Sequence, residues 1–148
     1  MKIESRPVLL DVNVLVALFG KGHIHHRAAH AWFATARGRG WRTSVVTENG
    51  LLRILSNPNV AGFLPTQEIA IRFEKSKALG MHEFWKTEFS FAGWLSQQSI
   101  MIPSSMITDG YLLRTAIERR GTLATFDKRI ALSLVGSTDS EALEYVPI

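Results

Sequence analysis

Apolar residues in this chain fall into two patterns. Short, nearly continuous runs bounded by Pro, Gly or an acid read as strands buried on both faces, and runs recurring every three or four positions read as helices. The first strand is Val8 to Leu10, between Pro7 and Asp11. Asn13 is placed to cap a helix from Val14 to Phe19, which stops at Gly20-Lys21-Gly22. An amphipathic segment follows from Ile24 to Arg37, with Ala28, Ala31 and Trp32 on one face, and Gly38 and Gly40 end it. Trp41 to Val46 is the second strand, and Thr47 an N-cap for a helix running to Leu55 and closed by Asn57-Pro58-Asn59. Thr66 to Leu79 is a further helix, Phe84 to Phe89 a strand and Phe91 to Gln98 a short helix. Thr108 caps a helix from Asp109 to Arg120 that Gly121 ends, with Arg119 and Arg120 suiting its C-terminal dipole. Thr122 to Phe126 is a strand, Lys128 to Val135 a short helix and Leu143 to Val146 a terminal strand. Alternation of this kind predicts an α/β fold: an open, mostly parallel, twisted sheet with helices on both faces.

Composition narrows the class. A chain of 148 residues without repeats, low-complexity tracts or linkers is expected to form one domain over residues 1–148. Its 46% hydrophobic content, with 8 Phe and 4 Trp, supports a real core and argues against disorder. The absence of cysteine excludes disulfides and thiolate metal sites. The segment Met1-Lys2-Ile3-Glu4-Ser5-Arg6 carries no signal-peptide pattern, and no apolar stretch approaches the roughly 20 residues of a membrane helix, so a soluble cytoplasmic protein is expected. The net charge of +4 and pI near 9.8 fit a polyanionic partner, although unrelated soluble domains often carry such a charge.

The acids change the picture more. Three of the four aspartates, Asp11, Asp109 and Asp127, together with Glu48, each stand where a run such as Val8-Leu9-Leu10 or Leu123-Ala124-Thr125-Phe126 gives way to a helix signal or loop. A parallel sheet gathers the carboxyl ends of its strands along one edge, where ligands bind. Carboxylates meeting there repel one another unless a divalent cation joins them. That is the expected signature of a metal-dependent phosphodiester hydrolase.

Four segments carry a specific resemblance: Leu9-Leu10-Asp11-Val12-Asn13-Val14-Leu15, Thr47-Glu48-Asn49-Gly50-Leu51-Leu52-Arg53, Ile107-Thr108-Asp109-Gly110-Tyr111-Leu112-Leu113 and Leu123-Ala124-Thr125-Phe126-Asp127. In order and spread they resemble the four acidic motifs of PIN domains, and most closely the VapC-type ribonuclease toxins of toxin–antitoxin pairs. The resemblance implies RNA cleavage dependent on Mg²⁺ or Mn²⁺, a homodimer, and a cognate antitoxin that blocks the site. The stretch Ile102-Pro103-Ser104-Ser105-Met106 departs from the family by lacking the Gly-His-Arg-like residues often found before the third motif. The departure bears on the substrate loop, because the acid itself is kept.

Hard divalent cations take oxygen ligands, and Mg²⁺ commonly keeps waters while touching one or two carboxylates. Asp11 and Asp109 are therefore expected to contact the metal, Asp127 to complete or support the shell, and Glu48 to orient water. Each acid has a plainer reading, since Glu48 and Asp109 lie in first helical turns where the dipole favours carboxylates. Asn13 and Thr125 are supporting candidates, one to position Asp11 and the other to bond a neighbouring acid.

Histidines His23, His25, His26 and His30 form a cluster, with His26 and His30 at i, i+4. Without cysteine or a His-Glu-x-x-His motif the cluster reads as structural or surface. Arg37, Arg39 and Arg42, and separately Lys128 and Arg129, are candidates to steer an RNA backbone. Trp32, Phe33, Phe73, Trp85 and Trp94 read as core or dimer contacts.

Other classes fit less well. A haloacid-dehalogenase-like phosphotransferase wants Asp-x-Asp where Asn13 takes the second place, and a receiver domain wants a second acid beside Asp11. An inactive RNA-binding module of the same fold would usually have lost an acid. A housekeeping RNA-processing nuclease would share the chemistry, and the neighbouring gene would separate it from a toxin.

Overall fold

In the computed structural model, which describes residues 5–86 and 88–148, strands and helices alternate along the chain. They are β1 (Val8–Leu10), α1 (Val12–Phe19), α2 (His26–Ala36), β2 (Trp41–Thr43), α3 (Val45–Leu55), α4 (Thr66–Ala78), β3 (His82–Phe84), α5 (Phe91–Leu95), α6 (Ile107–Glu118), β4 (Thr122–Thr125) and β5 (Leu143–Tyr145). All four strand pairings are parallel, in the order β3-β2-β1-β4-β5. The chain builds outward from β1 to β3 on one side, then returns to lay β4 against the other side of β1. This reversal opens a crevice beyond the carboxyl ends of β1 and β4, the switch point where open α/β sheets bind ligands.

Period-two alternation splits β1 between two cores. Val8 and Leu10 pack with Leu15, Trp32, Leu51 and Phe73, from α1 through α4. Leu9 joins Leu112, Leu113 and Ala116 of α6, with Leu123 and Trp85. Helices therefore cover both faces, as the pattern predicts. Among the described residues no helix is long and apolar enough to cross a membrane.

Several boundaries differ, each for a local reason. The second strand stops at Thr43 because Ser44, and not Thr47, caps α3. The Ser44 hydroxyl accepts from the Thr47 N–H at 3.4 Å, and the Thr47 hydroxyl accepts from the Ser44 N–H at 2.9 Å. This is a reciprocal capping box. Asp11, not Asn13, caps α1, which starts two residues earlier than expected. Helix α2 begins at His26 and buries Ala29, Trp32 and Ala36, leaving Ala31 exposed. Helix α6 starts at Ile107 without a side-chain cap, so Thr108 lies inside it. The third strand forms earlier than expected, at His82–Phe84 in register with Trp41–Thr43. Residue 87 of the expected strand span, and residues 1–4 of the leader reading, lie outside the described residues. Between β4 and β5 the expected helix is reduced to a 3₁₀ turn at Leu132–Val135.

Candidate active site

Asp11 follows β1 at the switch point, and its side chain is 5% exposed. Its Oδ1 accepts the Val12 N–H at 2.7 Å, and its Oδ2 accepts the Thr125 hydroxyl at 2.7 Å. Thr125, the last residue of β4, is wholly buried, and its hydroxyl oxygen also accepts from Asn13 Nδ2 at 3.3 Å and from the Asp127 N–H at 3.0 Å. Asn13 Oδ1 in turn accepts the Phe126 N–H at 3.3 Å. Asn13 thus gives up the expected capping role and ties the start of α1 to the end of β4. One hydroxyl orients the buried carboxylate, holding the two central strands in register at the crevice.

Asp109, in the first turn of α6, lines a cavity of about 290 Å³ together with Asp11, Val12, Asn13, Val16, His23 and Ile54. Burial, partly offset by the Thr125 bond and reinforced by Asp109 and Asp127, pushes the Asp11 carboxyl up to about 6. Asp109 is raised too, by burial and then by Asp127. Asp127 is different. Its carboxylate is gripped by the Arg129 guanidinium, with Nη2 to Oδ2 at 2.7 Å and Nε to Oδ1 at 3.0 Å, and this pair holds it below the usual range. The structure therefore places the three aspartates within each other's fields, with a resident cation only at the outermost one.

Glu48 is not brought into this group. Its Oε2 accepts the Thr43 hydroxyl at 2.5 Å and pairs with Lys77 Nζ at 2.9 Å. The cause is helix phase. A Cβ on Gly50 would lie 2.6 Å from Val12 Cγ2, so the Gly50 side of α3 abuts α1. Two residues back, about 200° around the helix, Glu48 turns towards α4. Lys77 is also bonded to Glu74 at 2.6 Å, and the Thr43 hydroxyl meets His82 Nε2 at 2.7 Å.

The histidines divide into two pairs. His26 Nδ1 and His30 Nε2 bond the carbonyls of Ala17 and Leu18 at 2.7 and 2.8 Å, so this pair joins α2 to the end of α1, the structural role expected. His23 was not singled out from the cluster by sequence, yet it lines the acid cavity. The Gly20-Lys21-Gly22 stop that delivers it there was its one available signal. Of the basic residues, Arg39 is consumed by Glu144 and the Arg6 carbonyl, and Arg42 by the Trp41 and Met81 carbonyls. Lys128 and Arg129 are exposed beside Asp127. Trp32, Phe73 and Trp85 are core residues as expected.

Among the described residues no three His, Asp or Glu side chains stand close enough to enclose one ion. A wall bearing two carboxylates with raised pKa, one of them buried, nevertheless fits a hard divalent cation, since Mg²⁺ needs only one or two protein carboxylates and fills its remaining positions with water and substrate. Asp11 and Asp109 share that wall, and Asp127 stands in support.

Comparison with known proteins agrees with this fold. A family model described as the PIN domain matches residues 8–133. The chain is similar to Ribonuclease VapC44 of Mycobacterium tuberculosis, 32% identical over 136 residues that cover 91% of this chain and 96% of the relative. It is also similar to Ribonuclease VapC39 of the same organism, 37% identical over 125 residues (83% and 90%), and to Ribonuclease VapC38, 33% identical over 123 residues (80% and 84%).

Proposed function

This chain belongs to the PIN-domain family, and from that premise we propose that it is a metal-dependent endoribonuclease of the VapC type, the cytoplasmic toxin of a toxin–antitoxin pair. The observation that carries the reading is the uncompensated acid crevice at the switch point, with Asp11 buried and Asp109 beside it in one cavity. Relatives over most of the chain's length are named ribonucleases, which directs the chemistry to RNA.

Asp11 and Asp109 hold Mg²⁺ or Mn²⁺, and Asp127 supports them from the rim. When bound, the cation supplies water activation and offsets the charge that grows on the phosphate. The chain's own part is orientation. Thr125 and the Val12 N–H fix both oxygens of Asp11, and Asn13 holds the strand end that carries Asp127. Glu48 acts at one remove, tying α3 to α4 through Lys77 and to β2 through Thr43. Exposed Lys128 and Arg129 flank the crevice where an RNA backbone would arrive.

Two partners follow. Phe63, Ile71 and Leu79, on α4 and the loops at its ends, are between 47% and 73% exposed, an apolar face suited to a homodimer. A cognate antitoxin that sets an Arg or Lys among the free carboxylates would silence the site through charge-assisted hydrogen bonds. Light scattering should give twice the 16.5 kDa chain mass, and a monomer would remove the dimer.

The test of function is direct. The purified protein cleaves RNA with Mg²⁺ or Mn²⁺, leaves 5′-phosphate ends and stops in EDTA. Undiminished cleavage in EDTA, or cyclic phosphate products, would defeat the proposal. Expression with and without the neighbouring small gene separates a toxin, relieved by its antitoxin, from a nuclease without one.

A further inference from the structure

The turn between α1 and α2 carries the one histidine that lines the acid cavity among the described residues, and its surroundings are built rather than incidental. Gly22 lies so close to the neighbouring loop that a Cβ there would come within 2.9 Å of the Ala61 carbonyl carbon. Gly62 answers from the other side with a φ of +76°, a left-handed conformation, and a Cβ there would be 2.8 Å from the Gly22 N. Backbone bonds run from the His23 N–H to the Gly20 carbonyl and from the His26 N–H to the His23 carbonyl, both at 3.0 Å. The turn is thereby held at both ends. Across the crevice the His25 ring packs on Phe126 at 5.0 Å between centroids, next to Asp127.

The ring of His23 has a defined tautomer. Its Nδ1 accepts the His25 N–H at 3.0 Å. An accepting Nδ1 leaves the proton of a neutral imidazole on Nε2. No hydrogen-bond partner for Nε2 occurs among the described residues. The half-buried ring therefore brings an uncommitted donor to a cavity lined by the carboxylates of Asp11 and Asp109, where the Asn13 amide N–H is already engaged by the Thr125 hydroxyl.

We propose that His23 is a substrate-binding residue of this crevice, its Nε2–H donating to a phosphate oxygen of the RNA strand that enters it. The inference rests on the nuclease reading and adds a residue to it. A neutral donor is chemically apt here. It binds a phosphate oxygen without adding a positive charge that would compete with a cation for the carboxylates, whereas Lys or Arg in the same place would pair with Asp11 or Asp109. Burial, then His25 and His26, hold the imidazole below its ordinary pKa and favour that neutral form.

Two substitutions separate the ring's two nitrogens. His23→Asn keeps an acceptor on Cγ for the His25 N–H and removes the outer donor. His23→Gln places an amide N–H near the Nε2 position and loses the inner acceptor. Steady-state cleavage of a labelled RNA oligonucleotide by the full chain with Mg²⁺ gives kcat and KM, and thermal melts with and without Mg²⁺ report fold and metal binding. His23→Asn should raise KM roughly tenfold, the loss of about one good hydrogen bond to a charged acceptor. Its melting temperature and Mg²⁺ shift should match wild type, and His23→Gln should recover part of the KM. A His23→Asn protein with wild-type KM overturns the inference, and so does one whose Mg²⁺ shift is lost, because His23 would then act through the metal. Wild-type protein that cleaves no RNA overturns the nuclease reading and this inference with it. Wild-type cleavage with an indifferent His23→Asn overturns the inference alone.

Discussion

Asp11 and Glu48 both follow the carboxyl ends of adjacent strands, β1 and β2, yet they live under opposite electrostatic conditions. Asp11 is buried, has no cation of its own, and is pushed up to about 6 by burial and by two neighbouring aspartates. Glu48 has Lys77 at 2.9 Å and the Thr43 hydroxyl at 2.5 Å. For Lys77, burial alone would lower the pKa, but its bonds to Glu74 and Glu48 raise it. An acid supplied with a partner from its own chain serves the fold. One denied a partner destabilises the fold and remains available to a ligand. The crevice and the Glu48 network should therefore respond to mutation in opposite senses.

The largest expected effect breaks the crevice. Asp109→Asn should lower RNA cleavage by roughly 10²-fold or more, since a direct metal ligand is at least as costly as the outer-shell partners worth 10–100-fold. The same change should leave the metal-free protein as stable or more stable, by roughly 0.5–2 kcal/mol. The half-exposed position of Asp109 keeps the gain at the lower end. Mg²⁺ should raise the melting temperature of the wild type and do so much less in the variant. A variant that retains cleavage and the full Mg²⁺ shift would show that Asp109 is an ordinary first-turn carboxylate.

Stability against pH gives the second test. The folded pKa of Asp11 lies above its unfolded value, so the folded state binds the extra proton between the two. Its stabilising protonation is fully present below about 4 and is lost as pH rises through about 6. Asp109 shifts in the same direction and adds to the loss. Asp127 and Asp139 are held low by Arg129 and Arg6, so their contribution disappears only as pH falls below the ordinary aspartate range. In metal-free protein the Asp11 contribution alone is a loss on the order of 3 kcal/mol between pH 4 and 7, opposed in part by His23 and His82, which burial holds below their ordinary pKa, and saturating Mg²⁺ should recover much of the loss. Chemical denaturation of the wild type and Asp11→Asn across that range isolates the Asp11 contribution, and a difference between them that does not change with pH would mean that Asp11 is not strained.

Glu48→Gln should sharpen the contrast with a smaller effect. Lys77 would lose one of its two carboxylates in a site where both side chains are about one-fifth exposed. Stability should fall by roughly 1 kcal/mol, and the Mg²⁺ shift should stay near that of the wild type. A gain in metal-free stability, as for Asp109→Asn, would place Glu48 in the crevice after all.

The sequence made one side of this comparison legible and concealed the other. The runs Val8-Leu9-Leu10 and Leu123-Ala124-Thr125-Phe126, each followed by an acid, located the two strands of the switch point, because strand burial and chain reversal leave strong local signals. The opposed faces of α3 left none. Whether Glu48 points at α1 or α4 depends on the contact between Gly50 and Val12, which joins residues far apart in sequence. The capping box was open to a similar confusion, since Ser44 and Thr47 are both good caps and only the reciprocal bond decides between them. His23 was hidden in the same way. Four histidines within eight residues look alike until two are seen bonding the carbonyls of α1 and a third turning to Phe126.

The smallest expected effect concerns Arg129, the one cation among the described residues paired with an aspartate of the crevice. Its guanidinium holds Asp127 through both oxygens and acts at longer range on Asp109. In charge it imitates what a divalent ion or an antitoxin arginine would bring, although it is exposed and grips only the outermost acid. A competing cation inside the chain must weaken metal binding, since each carboxylate it occupies is less available to the ion. Arg129→Gln should lower the Mg²⁺ concentration for half-maximal activity and for the half-maximal melting shift. The change should be modest, roughly two- to fivefold, because exposed ion pairs are weak and screened. Asp127 should return towards the ordinary carboxylate range, removing part of the stability lost in acid. The two readouts must move together. If the Mg²⁺ requirement rises instead, Arg129 is holding Asp127 in place for the metal rather than competing for it, and the distinction between partnered and unpartnered acids would no longer describe the edge of the crevice.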